Sequence, residues 1–288
     1  MMINKKILQM HFSRNAANYD AYAKVQKKMA DELLKMISLD FNNKSGYLDI
    51  LDIGCGTGYL TKQLVSYCPN ARITAVDIAP GMIEYAKEKL KECNIEFQCV
   101  DIEEVKLNKK FDMIISNATF QWFNNLKGTI QMLGQMLEDN GWLAFSTFGH
   151  MTFNELNCSH EIAREKLKMD GEFPPSQKFF RPEEIFGICK ENVGVDFTNT
   201  YKIDIKESLE YEYFNSVREF LDSVRKIGAN NSNKSHRANT SLTKEMIRTY
   251  EEMYKINGLI RATYHCIFIT ARKIGNTENE GRSVKATG

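Results

Sequence analysis

Asp52-Ile53-Gly54-Cys55-Gly56-Thr57-Gly58 has the residue types and spacing of a ligand loop. Glycines let a backbone turn tightly and approach a bound molecule closely, and a helix start behind them offers free N–H groups. The pattern is G-x-G-x-G with an acid two residues ahead, whereas a dinucleotide fingerprint is G-x-G-x-x-G. The shorter loop suits a nucleoside without a pyrophosphate, although alone it reads equally as a tight strand-to-helix turn. Three more polar residues close the apolar runs that follow. Asp77 ends the second run, where an acid can accept hydrogen bonds from both ribose hydroxyls. Asp101 ends the third and could accept from an adenine amino group, and Asn117 follows the fourth. Polar residues at successive strand ends make a row of contacts on one rim. No Ser-His-Asp or Cys-His constellation accompanies them. The seven cysteines (55, 68, 93, 99, 158, 189 and 266) include no C-x-x-C pair. They read as small buried hydrophobes, and no metal site is expected.

The elements needed to position that rim are legible. Tyr22, Val25, Met29, Leu33, Met36 and Ile37 recur at helical spacing, which predicts an amphipathic helix over 20–39. Asn42 to Gly46 breaks it. Short apolar runs at 47–53, 73–77, 95–100, 111–116 and 142–148 read as strands. Helices are expected between them over 59–68, from Pro80 to Leu90 and over 126–137, with a turn at Asp139-Asn140-Gly141. This alternation predicts βαβ units and a parallel sheet. Beyond it, helices are expected over 152–168, from about Phe180 and over 208–227, strand-type residues lie at 195–205, and a last strand covers 263–272. The segment from Lys273 has almost nothing to bury and reads as a disordered tail.

Composition sets the class. The chain has 288 residues, 43% apolar and 26% charged, which fits a globular protein with a real core. Lys+Arg of 38 against Asp+Glu of 37 leaves a net charge of +1. That gives no global pull toward nucleic acid or an anionic membrane, so electrostatic recognition must be local. The N-terminal segment lacks the apolar region of a signal peptide, and no run is long enough to span a bilayer. A reducing, cytoplasmic setting is the expectation.

The chain resembles the class I S-adenosylmethionine-dependent methyltransferases. LDIGCGTG is similar to their first motif, AVDIAPGMI to their second and CVDIEE to their adenine-side loop, together covering about residues 45–150. The flanks FSRNAANYDAYAKVQ, SNATFQWF, FSTFGHMTFNEL, FFRPEEI, FLDSVRKIGANN and YHCIFITARK resemble one subfamily, the malonyl-acyl-carrier-protein O-methyltransferases of biotin synthesis. The resemblance implies an α/β fold: a Rossmann-like sheet with helices on both faces, an N-terminal helical lid (1–44) and a methyltransferase domain (45–273). It also implies acceptor-side insertions at about 151–260, followed by the tail (274–288). It implies S-adenosyl-L-methionine as methyl donor, held by Asp52, Gly54, Cys55, Gly56, Asp77, Ile78, Met82, Asp101, Ile102 and Asn117. It further implies an acyl carrier protein bearing malonyl as partner, and a methyl ester product that primes pimeloyl and biotin synthesis.

Such a step asks for alignment and water exclusion rather than a general base, because a carboxylic acid of ordinary pKa is already ionised. Tyr19 is the expected closing residue, and Trp122 could wall the transfer path. Arg218, Arg225, Lys226, Tyr264 and His265 are candidates to orient the acceptor carboxylate. Ordinary readings stand beside these: core packing for Trp122, a helix-entry staple for Tyr19, solvated cations, a satisfied core histidine. The acid-free stretch between Asp222 and Glu245, with Arg225, Lys226, Lys234, Arg237 and Lys244, is the expected docking edge for an acidic carrier. Alternatives are a small-acid carboxylate methyltransferase of the trans-aconitate type, another small-molecule methyltransferase, and a non-catalytic adenosyl-binding protein. A nicotinamide dehydrogenase fits the glycine spacing least.

Overall fold

The computed structural model describes residues 2–41, 48–105, 107–169, 174–193, 200–229 and 240–274. Two helices, α1 (Lys5–Tyr22) and α2 (Lys24–Phe41), precede the alternating core. That core runs β1 (Asp49–Ile53), α3 (Tyr59–Tyr67), β2 (Arg72–Asp77), α4 (Pro80–Lys89), β3 (Ile95–Cys99) and β4 (Phe111–Ser116). It continues through a single 3-10 turn (Phe120–Trp122) to α5 (Leu126–Gln135) and β5 (Leu137–Phe148). Then come α6 (Asn154–Lys166), α7 (Pro182–Asn192), β6 (Thr200–Phe214), α8 (Val217–Lys226), α9 (Thr240–Tyr254), β7 (Lys255–Ile256) and β8 (Leu259–Ile274).

The strands form one sheet in the order β3-β2-β1-β4-β5-β8-β6, with β7 paired to β8. The first five are parallel, and β8 lies antiparallel between β5 and β6. Chain order reverses at β1, which has β2 on one side and β4 on the other. In open α/β sheets the crevice beyond the strand ends at such a point is where ligands bind. The central strands are buried on both faces: Ile50, Met113, Ile115 and Ala144 pack in one core, and Leu51, Ile53, Ile114 and Leu143 in the other. The first core also takes Val25, Met29, Leu33 and Ile37 of α2. Among the described residues no helix is long and apolar enough to cross a membrane.

Several boundaries differ from the sequence reading. The helix expected over 20–39 starts at Lys24, and Tyr22 belongs to α1; the chain bends at Ala23, whose ψ is 48°. The turn expected at Asp139–Gly141 is an irregularity inside β5, with Asn140 at φ +62° and a register shift between Phe111 and Met113. The helix expected over 208–227 is half strand: β6 continues to Phe214, and the helix begins at Val217 with Ser216 Oγ accepting from Glu219 N at 3.2 Å. Leu209, Tyr211 and Tyr213 alternate with Glu210 and Glu212, a period of two that suits an edge strand. At the far end Lys273 is buried, its Nζ 2.9 Å from Asp139, and Ile274 still pairs with Thr200, so the last strand outruns the expected tail boundary. The loop at 42–46, the tail from 275, and Lys234 and Arg237 lie outside the described residues.

Candidate active site

The loop after β1 is pinned by the end of β2. Gly54 N and Cys55 N donate to Val76 O at 2.8 and 3.0 Å, and Gly56 N donates to Asp77 Oδ2 at 2.9 Å. Gly54 and Gly56 have φ of +68° and +53°, the left-handed region that favours glycine. At Gly54 a Cβ would also sit 2.1 Å from Thr119 Oγ1; at Gly56 it would meet nothing within 4 Å, so this backbone faces open space. That space is a cleft of about 640 Å³ bordered by Gly54, Gly56, Asp77, Ile78, Met82, Asp101, Ile102 and Asn117.

Two carboxylates define its chemistry. Asp77 Oδ1 accepts from Ala79 N at 2.8 Å while Oδ2 takes Gly56 N; burial outweighs both bonds and pushes its pKa up to about 6. Asp52 is 1% exposed. Its Oδ2 accepts from Thr61 Oγ1 at 2.6 Å, but its Oδ1 has no partner among the described residues. Burial, opposed by the Thr61 bond and aided by the Asp77 charge, pushes Asp52 up to about 7. The orphan carboxylate belongs to a recess of about 400 Å³ behind the glycine loop. Asp101 is partly occupied: Lys5 Nζ lies 3.3 Å from it and Glu103 N donates at 3.1 Å. Lys5 also reaches Glu103 at 2.6 Å. Asn117 works inside the protein, donating to Gln26 O at 2.9 Å and accepting from Ser146 Oγ at 2.6 Å. Cys55 departs from expectation: it borders the recess rather than the cleft and packs against Ala75 and Ile83.

α1 roofs the cleft. Gln9 Nε2 donates to Ile78 O at 2.9 Å, and Gly81 N donates to Ser13 Oγ at 3.3 Å. A Cβ on Gly81 would lie 2.6 Å from Ser13 O, so only glycine allows this approach. At the other end Asp20 accepts from Thr57 Oγ1 at 2.7 Å and Lys89 Nζ at 2.6 Å. Burial raises the Asp20 pKa, but these bonds outweigh it and hold the carboxyl below its usual range.

A second, larger cavity of about 1070 Å³ lies on the other side of Tyr19 and Trp122. The two spaces share Phe12, Tyr19, Ala118 and Trp122 as a common wall. Phe12 meets Trp122 edge-on at 5.7 Å and 82°, and Tyr19 at 6.3 Å. Burial, then Asp77 and Asp20, push the Tyr19 pKa well up, so its hydroxyl stays protonated. Tyr264 lines the second cavity and is likewise raised, by burial and then Glu212.

The expected cations divide. Arg225 lines the second cavity, paired with Asp222 at 2.7 Å with its side chain 66% exposed, which puts it at the mouth. Arg218 is exposed on the first turn of α8 and does not line it. Lys226 turns to α1, 2.7 Å from Tyr22 Oη and 4.5 Å from that ring's centre. His265 cannot join Tyr264, because neighbouring strand residues face opposite sides. Its Nε2 is 2.8 Å from Glu207, and His150 stacks edge-on at 5.2 Å. The sequence reading missed Asp20, Gln26 and Gln121. Gln26 carried a signal: it stands three and seven residues before Met29 and Leu33, a polar residue on the buried stripe of α2.

The sheet order and a glycine loop facing the switch-point crevice define a Rossmann-like methyltransferase. A methyltransferase-domain family matches residues 50–141. Solved structures agree on the fold. The YcgJ protein of Bacillus subtilis superposes with a TM-score of 0.58 at 15% identity, covering 85% of this chain and all of that one. The plantazolicin methyltransferase BpumL in complex with SAH has a TM-score of 0.53 at 17% identity, covering 94% and 95%. Curated sequences are nearer. The malonyl-[acyl-carrier protein] O-methyltransferase of Acetivibrio thermocellus is 67% identical over 276 residues, 94% of this chain and 95% of that protein. Its counterpart in Priestia megaterium is 43% identical over 94% and 99%. The chain belongs to the malonyl-[acyl-carrier protein] O-methyltransferase family, within the S-adenosylmethionine-dependent methyltransferases.

Proposed function

We propose that this chain moves a methyl group from S-adenosylmethionine to the free carboxylate of a malonyl thioester on an acyl carrier protein. The observation that carries this reading is the wall shared by the two cavities, with Asp77 and Asp101 bordering the space on one side and a larger chamber with Arg225 at its mouth on the other. The residues fit the donor. Asp77, held by two backbone N–H groups, has lone pairs left for ribose hydroxyls, and Asp52 offers an unpartnered buried oxygen to a cationic amino end. Ile78, Met82, Ile102 and Asp101 border the space left for the base. When bound, the donor supplies a methyl carbon on a sulfonium: the new O–C bond forms as the C–S bond breaks, and that electron pair neutralises the sulfur. The acceptor carboxylate is ionised at neutral pH, so no base is required. Phe12, Tyr19 and Trp122 keep water from the junction, and Arg225 at the mouth draws in the anionic acceptor.

A small tricarboxylate acceptor of the trans-aconitate type would call for several cations. Arg225 is the one cation among the described lining residues, and the chamber is larger and more apolar than such an acid needs. The test is competition among malonyl carrier protein, free malonate and aconitate with a trideuteromethyl donor. The carrier-bound malonyl should gain one labelled methyl by mass spectrometry; labelling of the free acids alone contradicts the proposal.

A further inference from the structure

Most polar side chains of the second cavity are engaged; among the described residues the Tyr19 hydroxyl, the Trp122 indole N–H and the Gln26 amide are the exceptions. Gln121 accepts from Thr147 Oγ1 at 2.9 Å and donates to Ala118 O at 2.7 Å. Ser176 donates to Asn157 Oδ1 at 2.8 Å, Thr152 Oγ1 to His265 O at 3.3 Å, and Gln177 Nε2 to Gln121 O at 3.5 Å. Gln26 differs. It is 7% exposed, and its main-chain oxygen is held by Asn117 Nδ2, itself tied to Ser146. Its side-chain amide has no partner among the described residues. It borders both the second cavity and the recess that holds the orphan Asp52 oxygen, and among the described residues Tyr19 is the only other one lining both. An amide that faces these spaces with no protein partner is free to donate to a ligand that enters them.

We propose that the Gln26 side-chain amide is the neutral donor that holds the acceptor's reacting carboxylate beside Tyr19, where the larger cavity meets the recess behind the glycine loop. This rests on the methyl-transfer reading above. A cation at this place would bind the anion more strongly but would also damp its nucleophilicity. An amide N–H fixes one carboxylate oxygen and leaves the other free to attack. The arrangement divides the labour: Arg225 gathers the anion at the mouth, and Gln26 orients it inside.

The test uses Gln26→Leu and the near-isosteric Gln26→Glu in the full chain, with the wild type methylating malonyl carrier protein. Failure of the wild type would contradict the reaction itself, not the role of Gln26. Gln26→Leu should lose ~10- to 100-fold in kcat/KM, the range of one hydrogen bond to a charged group. Its affinity for S-adenosylhomocysteine by calorimetry should match the wild type. Gln26→Glu places a second carboxylate against the acceptor. Its activity relative to the wild type should rise as pH falls from 8 to 6 and the new acid becomes a neutral donor. The described ionisable groups sharing these spaces are Tyr19 and Asp20 of α1, Lys27 of α2, Asp52 of β1, Cys55 of the glycine loop, Tyr59 of α3, Arg225 of α8 and Tyr264 of β8. They are present in both proteins, so the ratio isolates position 26. Three results overturn the proposal: wild-type kcat/KM in both variants, a loss matched by lost S-adenosylhomocysteine affinity, or a Gln26→Glu ratio flat with pH. Should Gln26→Leu fail to fold, the Gln26→Glu ratio decides alone.

Discussion

Asp52 and Asp77 sit in a strained electrostatic state that a ligand would relieve. Both carboxyls are raised by burial, to about 7 and about 6, above their ordinary values. The folded protein therefore holds more protons than the unfolded chain between about pH 4 and pH 7, and this part of its stability falls as pH rises through that window. A ligand that donates hydrogen bonds to Asp77 and brings positive charge near Asp52 favours the ionised forms. Cofactor binding should then release protons near pH 6.5 and weaken as pH falls from 7.5 to 5.5, both measurable by calorimetry in buffers of different ionisation enthalpy. Asp52→Asn should bind the cofactor ~10- to 100-fold more weakly and melt at a higher temperature when unliganded at pH 7.5. Proton uptake on binding, or a lower melting point for that variant, would contradict this account. These carboxylates were legible in the sequence because the strand–loop–strand order alone sets them on one rim. Gln26, the choice of Arg225 among the candidate cations and the choice between Tyr264 and His265 were not. A helix face or a strand parity is fixed only by what packs on it, and the adjacent Tyr264 and His265 go to opposite sides whichever way the strand is turned.

At the scale of elements, α1 is the part that a ligand must pass. It is fastened by polar contacts along its length, from Lys5 on Glu103 and Gln9 on Ile78 O to Asp20 on Thr57 and Lys89. Its buried side chains are only Leu8 and Ala16. A helix held by polar tethers over a small apolar contact can open without unfolding the sheet. Asp20→Asn removes the charge that holds Lys89 and should speed amide hydrogen exchange in α1, leaving β1, β4 and β5 protected. Unchanged exchange in α1 would show that Asp20 is not its fastening. The parallel sheet around it was readable from alternating apolar runs, and the central strands lie where those runs fall. The misreading at 208–214 has a plain cause: β6 is an edge strand with Leu209, Tyr211 and Tyr213 on an exposed face, so burial never imposed an unambiguous pattern. α1 came from the resemblance alone, which implied a helical lid over 1–44, because its polar tethers leave no apolar stripe to count.

The whole molecule joins two spaces through one aromatic wall, the smaller bordered by Asp77 and Asp101 and the larger by Arg225. Arg225 at the mouth of the larger one is exposed, so its attraction for an acidic carrier is screened by salt. KM for malonyl carrier protein should rise severalfold between low and high ionic strength, and Arg225→Ala should raise KM and flatten that dependence while kcat changes little. A salt-independent KM would place the docking elsewhere. The most direct measurement is a crystal structure with S-adenosylhomocysteine and a non-reactive malonyl thioester bound together. The account expects the ribose on Asp77, the sulfur at the wall between Tyr19 and Trp122, and a carboxylate oxygen facing it from the larger chamber. A nucleoside bound away from Asp77, or a carboxylate separated from the sulfur by that wall, would contradict it.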